Sequence, residues 1–201
     1  MSADNALTGV PKPRGVDEPR FLLAVRDMLE AAGFDIDEVH LAATAEHVLE
    51  LWQHRLIDGY EVDTAATLGD GFADAGSDLV VVRDIAVHGV CPHHLVPWRG
   101  VAHVAYVPGG RLHGFGRIAR LVDGLSHRLT YQEWFTRDVA NALVQHGMAQ
   151  GAACVVSSVQ LCLILGENRR GEERVVTTAF AGLFEKDHQR QAELLRSLGL
   201  S

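Results

Sequence analysis

The hydrophobic pattern of the chain changes period twice between residues 78 and 184, and that succession limits the folds open to it. The β-branched runs "DLVVVRDIAV" (78–87) and "GVAHVAYVP" (100–108) read as two strands, the second closed by a Pro108-Gly109-Gly110 turn. "GRIARLVDGLSHRL" (116–129) and "YQEWFTRDVANALVQHGMA" (131–149) then carry apolar residues at helical spacing. A strand "CVVSSVQLCLIL" (154–165), a charged loop "GENRRGEER" (166–174) and a strand "VVTTAFAGLF" (175–184) follow, before a closing helix from about Asp187. The order is ββααββ, and it predicts an α+β fold: a four-stranded antiparallel sheet with two helices on one face.

Such a unit leaves its other sheet face bare in a monomer, and a bare apolar face predicts oligomerisation. Several consecutive residues of strand 154–165 are apolar, which fits burial on both faces better than clean alternation. Upstream, "PRFLLAVRDMLEAAGF" (19–34) and "TAEHVLELWQHRL" (44–56) read as helices, the second with Thr44 as its N-cap. The expected organisation is a flexible tail over 1–18, a helical region over 19–70 and the ββααββ domain over 71–201.

A chain of 201 residues, 47% hydrophobic, can bury a core. Its tail "MSADNALTGVPKPRGVDE" holds no apolar run long enough for a signal peptide or a membrane span, so a soluble cytoplasmic protein is expected. A net charge of -8 argues against nucleic acid as a partner, while leaving room for a local basic pocket that takes a small anion. Three cysteines, Cys91, Cys154 and Cys162, are an odd count that argues against a disulfide framework and leaves metal binding or burial.

The stretch "GVCPHHLVPW" (89–98) places a thiol and two adjacent imidazoles within four positions, and Cys91 with His94 reads as half of a metal site. Zinc enzymes commonly use three protein ligands and keep the fourth position for water. Cys154 and Cys162, eight residues apart, share one face of a regular strand about 26 Å from each other, so only one of them reaches the metal. A buried cysteine in an apolar strand is more often a small hydrophobe than a ligand, and spacing does not choose between the two.

"CPHHLVPW", with "GRIARLVDGLSHRLTYQE" (116–133), "QLCLIL" (160–165) and "VVTTAFAGLF" (175–184), resembles GTP cyclohydrolase I, the zinc enzyme that converts GTP to 7,8-dihydroneopterin triphosphate and formate in pterin and folate pathways. The likeness runs from about Thr44 to the C-terminus. It implies the tunnelling fold, whose ββααββ units assemble side by side into a β-barrel, usually as two stacked pentamers with active sites between subunits. It also implies that Cys91, His94 and Cys162 hold zinc, that Cys154 is packing, and that His93 transfers protons beside the metal. The other reading of His93 is a residue that only orients the ligands. Gln132 and Glu133 match the family's guanine-recognising pair, a carboxylate accepting from the guanine N1–H and exocyclic amine. Arg117 and Arg120, three apart near a helix start, together with Arg128, suit a triphosphate.

The chain also departs from the family's pattern. Gln160 stands where a second active-site histidine is usual, and on a strand it points to the same side as Cys162. A glutamine hydrogen-bonds but transfers no proton at neutral pH. Gly166 replaces a phosphate-binding arginine, for which Arg169 or Arg170 is the substitute at hand; Pro92 replaces an acid, Gly116 a serine and Arg117 a lysine. Three readings follow: a complete GTP cyclohydrolase I; an altered enzyme that stops at the ring-opened formamide or takes another purine or pterin; and a non-catalytic nucleotide- or pterin-binding relative.

Overall fold

The computed structural model describes residues 13–166 and 173–199; Glu167, Arg169 and Arg170, like residues 1–12 of the tail, lie outside them. Helix α1 (Glu18–Ala31) starts where the Asp17 carboxylate accepts from the Arg20 N–H and Pro19 occupies the first turn. It pairs with α2 (Thr44–Leu51), which runs on as a π-helical turn over Trp52–Leu56. Phe21 packs on Trp52 with ring centroids 6.0 Å apart, and Arg26 bonds Glu46 at 3.1 Å. Ala43, not Thr44, is the N-cap of α2 and no side chain caps it, because Thr44 already lies inside the first turn. A short 3-10 turn (Asp58–Glu61) and α3 (Thr64–Leu68) follow, neither with enough apolar periodicity to be read from sequence.

Strands β2 (Val80–Val90), β3 (Pro97–Val107), β5 (Gly151–Gln160) and β6 (Val175–Gly182) form one antiparallel sheet in the order β2-β3-β5-β6. The two-residue strands β1 (Phe72–Ala73) and β4 (Arg111–Leu112) pair separately. Helices α4 (Phe115–Ser126) and α5 (Gln132–Gln145) cross the sheet, as the ββααββ order requires.

Even-numbered residues of the central strands face these two helices. Trp98, Ala102, Val104 and Tyr106 of β3, with Ala152, Cys154 and Val156 of β5, bury against Ile118, Leu121 and Leu125 of α4 and Phe135, Val139 and Leu143 of α5. Odd-numbered Ala105, Ala153 and Val155 face the other way and are covered by Leu194 of α7 (His188–Ser197) and Leu198 at its C-cap. The terminal helix therefore covers one end of the second face, while Val176 on that face stays 52% exposed, so the expectation of one-sided cover is corrected only at that end. The apolar run in β5 reflects a central strand that is buried on both sides within its own chain.

The strand expected over 154–165 ends at Gln160, and Leu161–Ile164 form a single helical turn, α6. A short apolar run is compatible with either conformation, so periodicity alone placed Cys162 wrongly in mid-strand.

Candidate active site

The loop after β2 is shaped by its own backbone. Cys91 N–H donates to Val96 O at 3.0 Å and Leu95 N–H to Cys91 O at 2.9 Å, with Leu95 in the left-handed region at φ 55. Just before it, Gly89 lets the Trp98 indole pass: a Cβ there would lie 2.6 Å from the ring. Val90 N–H donates to Arg128 O and Val90 O accepts from the Thr130 N–H at 3.2 Å, so the segment entering α5 is fastened to the end of β2. On the other side, Trp98 pairs with Gln160, which sets the end of β5 and the α6 turn beside the same loop.

These connections bring Cys91, His94 and Cys162 together, with one donor atom of each within 4.8 Å of the others. Cys91 Sγ lies 3.8 Å from His94 Nδ1. Two thiols and an imidazole are a donor set suited to zinc. Burial pushes the Cys162 thiol pKa up and the neighbouring Cys91 sulfur adds to the effect; a dication among the three donors relieves both. Cys154 is fully buried among the apolar residues between sheet and helices, where desolvation raises its pKa strongly and keeps it a thiol.

His93 stands exposed on the same loop, its ring edge-on to His94 with centroids 6.1 Å apart. Its Nε2 lies 2.9 Å from the hydroxyl of Tyr131. Glu133, in the first turn of α5, is exposed and makes no hydrogen bond or ion pair among the described residues.

Gln132 has a different environment from its neighbour. It is 4% exposed, and its Nε2 donates to Val156 O, Val175 O and Thr177 Oγ1 at 3.0–3.1 Å. Those two carbonyls accept only, which fixes the orientation of the amide. Its Oε1 accepts from Ser158 Oγ at 2.6 Å and from Gln160 Nε2 at 2.7 Å. Every polar atom of the Gln132 side chain is thus engaged inside the protein, and Gln132 fastens the start of α5 to β5 and β6. Gln160 also donates to Ser158 Oγ at 2.9 Å. Being the last strand residue before a helical turn, it is related to Cys162 through that turn and not by strand alternation.

The three arginine side chains bond to other segments. Arg117 donates to Thr67 O at 3.1 Å, Arg120 to Gly116 O at 3.1 Å, and Arg128 to Gly59 O at 3.0 Å while its guanidinium covers the Tyr60 ring at 5.6 Å. Arg117 and Arg120 line a cavity of about 290 Å³ together with Asp58, Asp123 and His127. His127 Nδ1 is 3.0 Å from Asp58 and its Nε2 is 3.3 Å from Asp123, and its ring packs against His88 with centroids 4.1 Å apart and planes tilted by 42°. Arg117 sits in the first turn of α4, whereas the loop bearing Cys91 meets the chain just beyond the other end of that helix. About 14 Å of helix separates Arg117 from Ser126. Arg117 therefore lies at the end of α4 opposite the loop that bears Cys91. Tyr131, Ser158, Asp58 and His127 were not singled out from sequence; only the position of Tyr131, next to Gln132 and Glu133, carried a signal.

The sequence profile of the family described as GTP cyclohydrolase I matches residues 22–199. The chain is 59% identical over 190 residues to "GTP cyclohydrolase 1" of Ralstonia nicotianae, covering 94% of this chain and 91% of the relative. It is 59% identical over 185 residues to the protein of the same name from Chromobacterium violaceum, covering 92% and 90%. A third, from Deinococcus radiodurans, is 36% identical over 195 residues, covering 96% and 88%. With a match that spans the sheet, both long helices and the Cys91–His94–Cys162 cluster, the chain belongs to the GTP cyclohydrolase I family.

Proposed function

We propose that the chain is a zinc-dependent hydrolase that opens the imidazole ring of GTP, giving 7,8-dihydroneopterin triphosphate and formate. The observation that carries this reading is the convergence of Cys91, His94 and Cys162 beside His93, in a chain whose relatives bear the name GTP cyclohydrolase 1. Cys91, His94 and Cys162 hold the zinc, which when bound supplies Lewis-acid activation of water. Glu133 reads the guanine edge, its unpartnered carboxylate facing the N1–H and exocyclic amine. Gln132 contributes by placement, since its amide holds the turn that presents Glu133. His93 moves the proton at the purine ring as C8 is attacked. Arg117, Arg120 and Arg128 neutralise the triphosphate.

The placement of Arg117 at the end of α4 away from the Cys91 loop supports an active site shared between protomers. The two outer strands of the sheet, β2 and β6, which pair with no further strand among the described residues beyond the Val90–Leu129 bridge, support a barrel closed by neighbouring copies, in the decameric arrangement of the family. A second reading, in which the reaction stops at the ring-opened formamide, is favoured by Gln160: its amide donates to Gln132 and Ser158 and supplies no acid for expelling formate. Incubating the zinc-loaded protein with GTP and identifying products by mass and pterin fluorescence tests both readings. The first predicts the pterin and the second the formamide; unchanged GTP contradicts both.

A further inference from the structure

Tyr131 is the N-cap residue of α5, and its surroundings leave its backbone little freedom. Its carbonyl accepts from the Phe135 N–H at 3.0 Å, opening the helix. The residue before it, Thr130, is bonded to Val90 at the end of β2, and the residue after it is the fully engaged Gln132. Its ring packs edge-to-face on Trp134, with centroids 4.6 Å apart and planes at 87°. From this fixed base the hydroxyl reaches Nε2 of His93 at 2.9 Å, with the two rings 5.1 Å apart at 57°.

His93 has no comparable support of its own. It is exposed on the turn between Cys91 and Leu95, and an imidazole so placed explores several rotamers unless something outside the loop holds it. The Tyr131 hydroxyl donates to Nε2 when the ring proton is on Nδ1, and accepts from Nε2–H in the other tautomer. In either form Nε2 is occupied. Nδ1 has no partner among the described residues.

We propose that Tyr131 is the positioning residue of His93, its hydroxyl fixing the ring through Nε2 so that Nδ1 is the nitrogen left for proton exchange. The proposal rests on the cyclohydrolase reading for what His93 does, and on geometry alone for where Tyr131 holds it. It also places one rigid segment behind two parts of the site: residues 131–133 carry the His93 support, the Gln132 clamp and the Glu133 carboxylate in consecutive positions. Positioning of this kind acts on the reacting geometry more than on binding, so its loss appears in kcat before KM.

The test compares Tyr131→Phe and Tyr131→Leu with the unmodified zinc-loaded protein by two readouts. In steady-state turnover of GTP, Tyr131→Phe keeps the ring packing and loses only the hydroxyl; kcat falls about 3- to 10-fold, as loss of one hydrogen bond implies, with KM within about twofold. In labelling with diethyl pyrocarbonate at one fixed pH, mapped by mass spectrometry, Nε2 is uncovered and His93 reacts several-fold faster, while the exposed His54 reacts unchanged. Equal labelling of His93 in Tyr131→Phe and in the unmodified protein overturns the contact. Faster labelling with unchanged kcat overturns the positioning role, as does a loss of kcat confined to Tyr131→Leu, which assigns the effect to packing. If the unmodified protein consumes no GTP, the cyclohydrolase reading fails and the role proposed for Tyr131 in turnover falls with it; the labelling comparison still decides the contact.

Discussion

The side-chain nitrogen of Gln160 donates to Oε1 of Gln132 at 2.7 Å, so the residue that departs most from the family's pattern is tied to the first residue of α5. The amide is held by its neighbours and has no titratable proton to give. In the unmodified protein a ring-opened formamide should therefore accumulate ahead of formate. Gln160→His supplies an imidazole at the same position and should raise the rate of formate release relative to GTP consumption. Quantifying formamide and formate side by side over a time course checks this; equal rates for both proteins mean that another group provides the proton.

Gln132 predicts a stability effect separate from any role with substrate. Gln132→Leu leaves the buried Ser158 O–H without its acceptor and takes a donor from the buried Val156 O and the half-buried Val175 O. Each buried group so orphaned costs about 1–3 kcal/mol, and a loss of at least about 2 kcal/mol is expected in denaturant unfolding. A midpoint unchanged by the substitution contradicts the clamp.

The metal ligands and the buried thiol should separate cleanly. Cys162→Ala removes one of the three clustered donors and should lose zinc on metal analysis. Cys154→Ala, at a position with 0% exposure in the core, should keep the metal and lose on the order of 1 kcal/mol of stability. Loss of zinc from Cys154→Ala with retention in Cys162→Ala reverses the assignment.

Much of this arrangement was legible in the sequence, for identifiable reasons. Long periodic segments such as Phe115–Ser126 and Gln132–Gln145 declare themselves by spacing, and the alternation in β3 sorts Trp98, Ala102 and Val104 to one face. The Cys91–His94 pair was visible because four adjacent residues carry it. Family resemblance grouped Cys162 with that pair, while its conformation was misread because "LCLI" suits a strand or a helical turn equally. The cover of α7 over Ala105, Ala153 and Val155 is a tertiary contact between distant segments, and no local pattern announces which face a terminal helix will choose. Nor does the sequence reveal that Gln132 points inward while Glu133, one residue later on the same helix, points out.

Asp138 gives a pH dependence with a definite sign. Burial raises its carboxyl pKa from 3.8 to about 7, against the opposing charges of Arg128 and Arg137. Between these values the folded chain holds a proton that the unfolded chain has released, so this group's contribution lowers stability as pH rises from about 4 to about 7. Asp138→Asn removes that dependence; its Tm should exceed that of the unmodified protein by a few degrees at pH 8 and match it near pH 4. A gain that is the same at both pH values assigns the effect to packing.

Guanine selectivity should rest on Glu133. Glu133→Gln turns one acceptor into a donor facing the donor edge of guanine, which should weaken GTP binding by on the order of 2 kcal/mol. Calorimetry with the zinc-loaded protein reads this directly, and unchanged affinity places the base elsewhere.

The most direct measurement follows the carbon that the proposed reaction removes. Zinc-loaded protein incubated with GTP carrying ¹³C at C8, and observed by NMR, should move the label from the purine ring to a formamide and then to free formate, at a rate that disappears in Cys162→Ala. A label that stays in intact GTP in the presence of stoichiometric zinc contradicts the account.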